Sequence, residues 1–305
     1  MALRFYDAHN HLQDDRFGAR QAELLATCAQ TGVARMVVNG ACEEDWPQVL
    51  ALARGQGTFN TEHSTFNTQP PRTRSSLDVG RSMLNVESSL ILPSFGYHPW
   101  YLHERTADWL KHLTHFLDAI PSAVGEIGLD RWKPALPYAG QEEAFIAQLR
   151  LAAERNLPVS IHCLQAWGRM LEILKSEPRP ARGFLLHSYN GSQEMVKSFA
   201  DLGAYFSFPG YFTHERKAKQ RETFRHIPRE RLLIETDAPD QMLPDNLNQF
   251  PLTDEKTGAP VNHPANLAAI YHFAAELSGE PLEKFSSQVE QNFLRLFGGL
   301  ERNIS

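Results

Sequence analysis

The chain has 305 residues, with 42% apolar and 22% charged side chains, values that exclude collagen-like and wholly disordered classes. Its formal charge of −6 provides no global basic field for nucleic acid or an anionic membrane. No apolar run approaches a bilayer span and Met1–Asp7 lacks a signal-peptide core, so cytoplasm is the expected location.

In chain order, short β-type runs alternate with longer helical ones. A strand at Phe5–His11 precedes a helix near 20–30, and a strand at Val33–Asn39 precedes one near 43–54. Leu90–His98 and Ala123–Asp130 are the third and fourth strands, with a helix near 104–119 between them. Gln141–Arg155 has Phe145, Ile146, Leu149 and Ala152 on one helical face. Strands at Pro158–Cys163, Gly183–His187, Ala204–Phe208 and Leu232–Asp237 then alternate with helices near 165–176, 192–202 and 214–226. Helices near 264–278 and 281–297 close the chain. Eight strands with intervening helices predict a TIM-type (β/α)8 barrel with a C-terminal helical extension, an open doubly wound sheet being the alternative.

One stretch, about 56–89, breaks the rhythm. Phe59-Asn-Thr is echoed at Phe66-Asn-Thr, and Leu77-Asp-Val at Leu84-Asn-Val, in a polar context holding Pro70-Pro71. Paired Pro forbids a continuous helix, so the segment reads as a polar, irregular insertion in one barrel spanning residues 1–305.

Three cysteines, Cys28, Cys42 and Cys163, are too few and scattered for a disulfide framework or thiolate zinc site. Histidine, with 13 copies, is in surplus and is the commonest transition-metal ligand. Asp7-Ala-His9-Asn-His11 puts two imidazoles on one face of the first strand. Glu126 lies on the fourth strand, while His162, His187 and Asp237 end the fifth, sixth and eighth. Strand C-termini converge on one mouth of a (β/α)8 barrel, so these groups are expected together there. Such a donor set suffices for two divalent ions, which clamp the attacking and leaving oxygens of a displacement and acidify water. The expected cofactors are accordingly two divalent ions drawn from zinc, magnesium, manganese, nickel or iron.

The pattern resembles the TatD family of metal-dependent hydrolases. The matching pieces are Asp7-Ala-His-Asn-His11, Gly96-Tyr-His-Pro99, Gly125-Glu-Ile-Gly-Leu-Asp130, Ile161-His162, His187-Ser-Tyr-Asn-Gly191, Ser207-Phe-Pro-Gly210, Glu235-Thr-Asp-Ala-Pro239 and Asn292-Phe-Leu-Arg-Leu-Phe-Gly298. The resemblance implies a dinuclear site in which His9, His11 and Asp237 hold one ion, Glu126 bridges, and His162 and His187 hold the second. It also implies metal-dependent deoxyribonuclease activity, with DNA as substrate; in the phosphodiesterase reading Asp237 takes the proton of the attacking water, with Glu126 in the catalytic set. The chain departs from the family at Asn262-His263-Pro264, where Asn-Glu-Pro is usual, at His187-Ser-Tyr-Asn, and in the 56–89 insertion.

His98 and Arg131 are candidate substrate or phosphate contacts, and Glu235 shares its strand face with Asp237, where it could orient water or substrate. Arg216, Lys217, Lys219, Arg221 and Arg225 form a basic cluster that is either a solvated helix face or a guide for phosphodiesters. His103, His112 and His115 read as helix surface residues, and His63 falls in the insertion. Two other readings stand beside the phosphodiesterase. One is an ester or amide hydrolase using the same ligands; the other is a non-catalytic binding protein.

Overall fold

Strands buried on both faces require cover on both sides, and that is what helices around a parallel sheet provide. The computed structural model describes residues 3–55, 90–133, 136 and 138–300, so the insertion at 56–89 lies outside the described residues. Eight strands form one sheet in sequential order: β1 (Phe5–Asn10), β2 (Val33–Asn39), β3 (Ile91–Phe95), β4 (Ala123–Asp130), β5 (Val159–Leu164), β6 (Phe184–Leu186), β7 (Ala204–Pro209) and β8 (Leu232–Glu235). All neighbouring pairs from β1·β2 to β7·β8 are parallel. The architecture is the expected (β/α)8 barrel, not an open sheet.

The helices are α1 (Gln21–Gln30), α2 (Trp46–Ala53), α3 (Trp109–Ala119), α4 (Gln141–Arg155), α5 (Trp167–Ser176), α6 (Gln193–Asp201), α7 (Ala218–Arg225), α8 (Leu267–Leu277) and α9 (Leu282–Phe297). Helical spacing sets the inward faces: Phe285, Val289, Phe293 and Leu296 of α9 are buried at intervals of three or four residues. A small antiparallel ribbon, β9 (Leu252–Thr253) with β10 (Pro260–Val261), was not expected, because two-residue strands carry no periodicity. No helix among the described residues is long and apolar enough to cross a membrane.

Closure occurs at the seam between β8 and β1, where side chains supplement the backbone ladder. At the mouth, Asp237 N donates to His9 O at 2.9 Å and His11 N to Ala238 O at 2.8 Å. One residue layer below, the buried Asp7 carboxylate accepts from Thr236 N at 2.9 Å and from Thr236 Oγ1 at 2.6 Å. Deeper still, the Tyr271 hydroxyl of α8 accepts from Tyr6 N at 2.9 Å and donates to Tyr6 O at 3.0 Å. Asn292 of α9 donates to Leu232 O at 2.8 Å, so the C-terminal helix completes the base of the seam. Every polar backbone group satisfied this way avoids the cost of an unpaired buried amide or carbonyl.

Two buried glutamines of α4 serve the loops above β3 and β4. Gln148 Oε1 accepts from Tyr97 N at 2.7 Å, and Gln141 Oε1 accepts from Asp130 N at 2.8 Å. The inward face of α4 is therefore partly polar, although Phe145, Leu149 and Ala152 are buried on it and Ile146 is half-buried. Gly128 on β4 faces the β5 backbone so closely that a Cβ would overlap the His162 carbonyl. Only glycine fits there; Gly128 stands opposite His162 in the ladder, with Glu126 two residues earlier on β4.

Candidate metal centre

The strand ladder stops at the barrel mouth, and the polar groups gather in its last layer. His9 lies on β1 and His11 one residue past it; Glu126 lies on β4 and His162 on β5. His187 is the first residue after β6, Asp237 the second after β8, and His98 the third after β3, so the last two, expected as strand ends, sit on loop backbone beyond strands that stop short of them. Asp237 adopts a left-handed φ of 52°, held by its amide bond to His9 O, and this turns the carboxylate toward the imidazoles.

Glu126 stands at the centre. Its Oε2 lies 3.2 Å from His9 Nε2 and 3.1 Å from His11 Nε2. Its Oε1 lies 2.9 Å from His162 Nδ1 and 2.8 Å from His187 Nε2. Those two nitrogens are 3.3 Å apart, and His9 Nε2 and His11 Nε2 are 3.2 Å apart. Asp237 Oδ1 faces the first pair at 3.6 and 3.7 Å.

Groups behind the rings decide which nitrogen presents a lone pair. His11 Nδ1 is 2.8 Å from the Asn39 carbonyl and His162 Nε2 is 3.0 Å from Asp130 Oδ2. Both partners only accept, so those nitrogens always carry a proton, and the opposite ones, which face Glu126, are left to ligate. His9 Nδ1 is 2.7 Å from Ser160 Oγ and 3.1 Å from Asn39 Nδ2. Glu126 Oε1 is buried with no hydrogen bond of good geometry, despite three imidazole neighbours, His98, His162 and His187. Four imidazole nitrogens converging on one buried carboxylate make a donor set that a cation can occupy in place of protons. The donor set fits divalent ions: nitrogen and oxygen ligands, with His9, His11 and His162 held from behind.

Without a cation, protons take its place. Burial lowers His9 to about 4, with the charge of His187 adding to the effect. Burial also opposes a charge on His11, but the Glu126 carboxylate outweighs it and raises this ring to about 9. His187 is likewise raised well above its ordinary value by Glu126, against burial. The histidines hold Glu126 well below the usual carboxylate range although it is buried. Burial raises Asp237 to about 8, opposed by His187 and His11.

His98 joins this cluster. Its Nδ1 accepts from Trp100 N at 3.1 Å, and its Nε2 lies 3.4 Å from Glu126 Oε1. Burial lowers it to about 4, so the neutral ring carries its proton on Nε2 and points a donor into the site. Glu235 is wholly buried beneath the cleft, where Oε1 accepts from Ser188 N at 2.8 Å and Ser188 Oγ at 2.6 Å, and Oε2 from Ser207 Oγ. It lies 3.7 Å from His187 Nδ1 and supports that ring from below, away from the cleft surface where a substrate contact was expected.

The remaining candidates lie further out. The site opens into a cleft of about 1320 Å³ lined by Trp100, Tyr101, Trp132, Tyr211, Arg216 and Lys217, among others. Arg131 is not among the cleft-lining residues; its guanidinium sits 4.1 Å over the Tyr138 ring. Of the basic cluster, Arg216 and Lys217 line the cleft, Arg221 binds the Phe212 and His214 carbonyls, and Arg225 pairs with Glu222. His263 is buried with Nδ1 accepting from Ala265 N at 2.9 Å, a helix-turn cap and not a cleft residue. His103 and His115 are exposed, His112 pairs with Glu43, and His63 lies outside the described residues. All three cysteines are free and buried. The groups behind the ligands, Asn39, Ser160 and Asp130, carry no motif of their own; the strand period puts Ser160 on the face of His162 and Asp130 on that of Glu126.

A family model described as TatD related DNase matches residues 6–298. The uncharacterized metal-dependent hydrolase YjjV of Escherichia coli is 29% identical over 97% of this chain and 99% of its own. The 3'-5' ssDNA/RNA exonuclease TatD of Pantoea ananatis is 35% identical over 96% of this chain and 99% of its own. The crystal structure of YjjV, a TatD homologue, superposes with a TM-score of 0.78 at 28% identity, covering 98% of this chain and all of that one.

Proposed function

The chain belongs to the TatD family of metal-dependent hydrolases, and we propose that it hydrolyses phosphodiester bonds of DNA through two divalent cations joined by Glu126. The observation that carries this reading is the division of labour at Glu126, whose Oε2 faces His9 and His11 while Oε1 faces His162 and His187. His9, His11 and Asp237 would hold one cation, His162 and His187 the other, and Glu126 both. Bound there, the cations supply Lewis acidity that lowers the pKa of water and offsets charge on phosphoryl oxygens.

The chain's own groups do the rest. Asp237, at the cleft edge of the first set, takes the proton of the attacking water as general base. His98 donates from Nε2 toward a phosphoryl oxygen, a neutral donor at neutral pH. Arg216 and Lys217 supply positive charge at the mouth that the net charge of −6 does not. The name of the Pantoea relative supports single-stranded nucleic acid as the substrate form.

The test is hydrolysis by the purified chain after chelation and restoration with one metal at a time. Single-stranded DNA, RNA, duplex DNA and acyl esters are assayed side by side. Cleavage of single strands that vanishes on chelation and returns with a divalent ion is expected. Acyl hydrolysis without cleavage of either nucleic acid would overturn the reading.

A further inference from the structure

Among the described residues, the exposed large apolar side chains are Leu110, Leu294 and Trp132, and Trp132 is the most open at 54%. It is also the one of the three that lines the active-site cleft. An uncovered indole at a polar mouth is the kind of apolar surface that marks a binding position.

The neighbouring rings already carry cations. Lys133 Nζ sits 3.2 Å over the Trp100 ring, and Lys217 Nζ sits 4.4 Å over the Tyr211 ring. Arg216 donates to the Tyr211 hydroxyl at 2.8 Å. Among the described residues no cation covers Trp132 in this way, yet its backbone is fixed. Its amide donates to Asp130 Oδ1 at 2.6 Å, while Asp130 Oδ2 holds His162 at 3.0 Å and the Trp100 indole at 2.6 Å. One carboxylate thus sets the height of the open ring relative to a ligand of the metal centre.

We propose that Trp132 is a stacking platform for one nucleobase of a single-stranded substrate, flanked by Lys133 on its own loop and by Arg216 and Lys217 across the mouth for the phosphates. This rests on the phosphodiesterase reading above and names the residue that recognises the base. Stacking is tolerant of sequence because every base offers a π-face. A paired base has its faces occupied by its neighbours in the stack, so the platform selects unpaired strands.

The test compares Trp132→Ala and Trp132→Phe with the wild-type full chain on a short oligothymidylate and on an abasic oligonucleotide of equal length. Cleavage kinetics are measured with metal restored, and fluorescence anisotropy of the labelled strands with metal chelated. Trp132→Ala should raise KM and Kd for oligothymidylate roughly 5- to 150-fold, the loss expected for one base–aromatic stack. The kcat should stay within about twofold, Trp132→Phe should recover most of the affinity, and the abasic strand should bind all three proteins alike. Unchanged KM and Kd in Trp132→Ala, or an equal loss on the abasic strand, would overturn the platform while leaving the phosphodiesterase reading intact. A wild-type chain that neither cleaves nor binds either strand would overturn both.

Discussion

The Asp130 carboxylate lies 3.0 Å from His162 Nε2, on the far side of the imidazole from Glu126. An acceptor in that place fixes the proton on Nε2 and leaves Nδ1 free to ligate. Asp130→Asn replaces an obligate acceptor with a group that can equally donate. Removing such a support typically costs 10–100-fold in metal affinity. We expect that loss for one ion, with the other unchanged, in a chelator-competition titration. Equal affinities in variant and wild type would show that Asp130 serves the loop and not the ligand.

Cation uptake should release protons. With Glu126 beside them, His11 is raised to about 9 and His187 well above its ordinary value, while burial raises Asp237 to about 8. Each group must lose its proton to ligate, so near pH 7 the proton-bound form competes with the ion. The sign follows: affinity rises with pH and falls as the histidines fill. Calorimetric titration in buffers of different ionisation enthalpy reads the released protons directly. Binding with no proton release and no pH dependence between about pH 6 and 8 would contradict these assignments.

Asp237→Asn should abolish hydrolysis while leaving the fold and most bound metal in place. General-base catalysis contributes roughly 10²–10⁴-fold, so the variant is expected to fall below about a tenth of the wild-type rate. Retention of more than that in a single-turnover assay would remove Asp237 from the role of base.

Replacing Thr58–Val86 with a short Gly/Ser linker should leave metal content and rate nearly unchanged. The flanking elements, α2 ending at Ala53 and β3 beginning at Ile91, make this an αβ connection. Such connections lie on the barrel face opposite the active site, and loop-closure entropy grows only slowly with length. A shortened protein that keeps its metal but loses activity would mean that the segment reaches the mouth.

Much of this was legible from residue pattern alone. Val33–Asn39, Ala123–Asp130 and Gln141–Arg155 coincide with their expected bounds, because strands buried on both faces leave short apolar runs and an inward helix face leaves a clear period. His98 and Asp237 fall past their strands, where His98 N bonds the loop carbonyl of Ala41 and Asp237 N bonds the β1 carbonyl of His9. Ladder bonds between distant strands leave no local signature. The same holds for the groups behind the ligands. Nothing in the run around Asp130 distinguishes a phosphate contact from a support of His162, because the deciding partner lies 32 residues away. Glu235 shares the strand period of Asp237, but period gives a face and not a depth, and it lies a layer below the cleft.

The central claim is that Glu126 joins two cation positions, and metal-specific anomalous diffraction from manganese-soaked crystals tests it most directly. Two peaks about 3.5–4 Å apart are expected in the wild type, one beside His9 and His11 and one beside His162 and His187. In Glu126→Gln both should weaken, and in His162→Ala chiefly the second. A single peak in the wild type, or a Glu126→Gln variant that keeps both at full occupancy, would contradict the account.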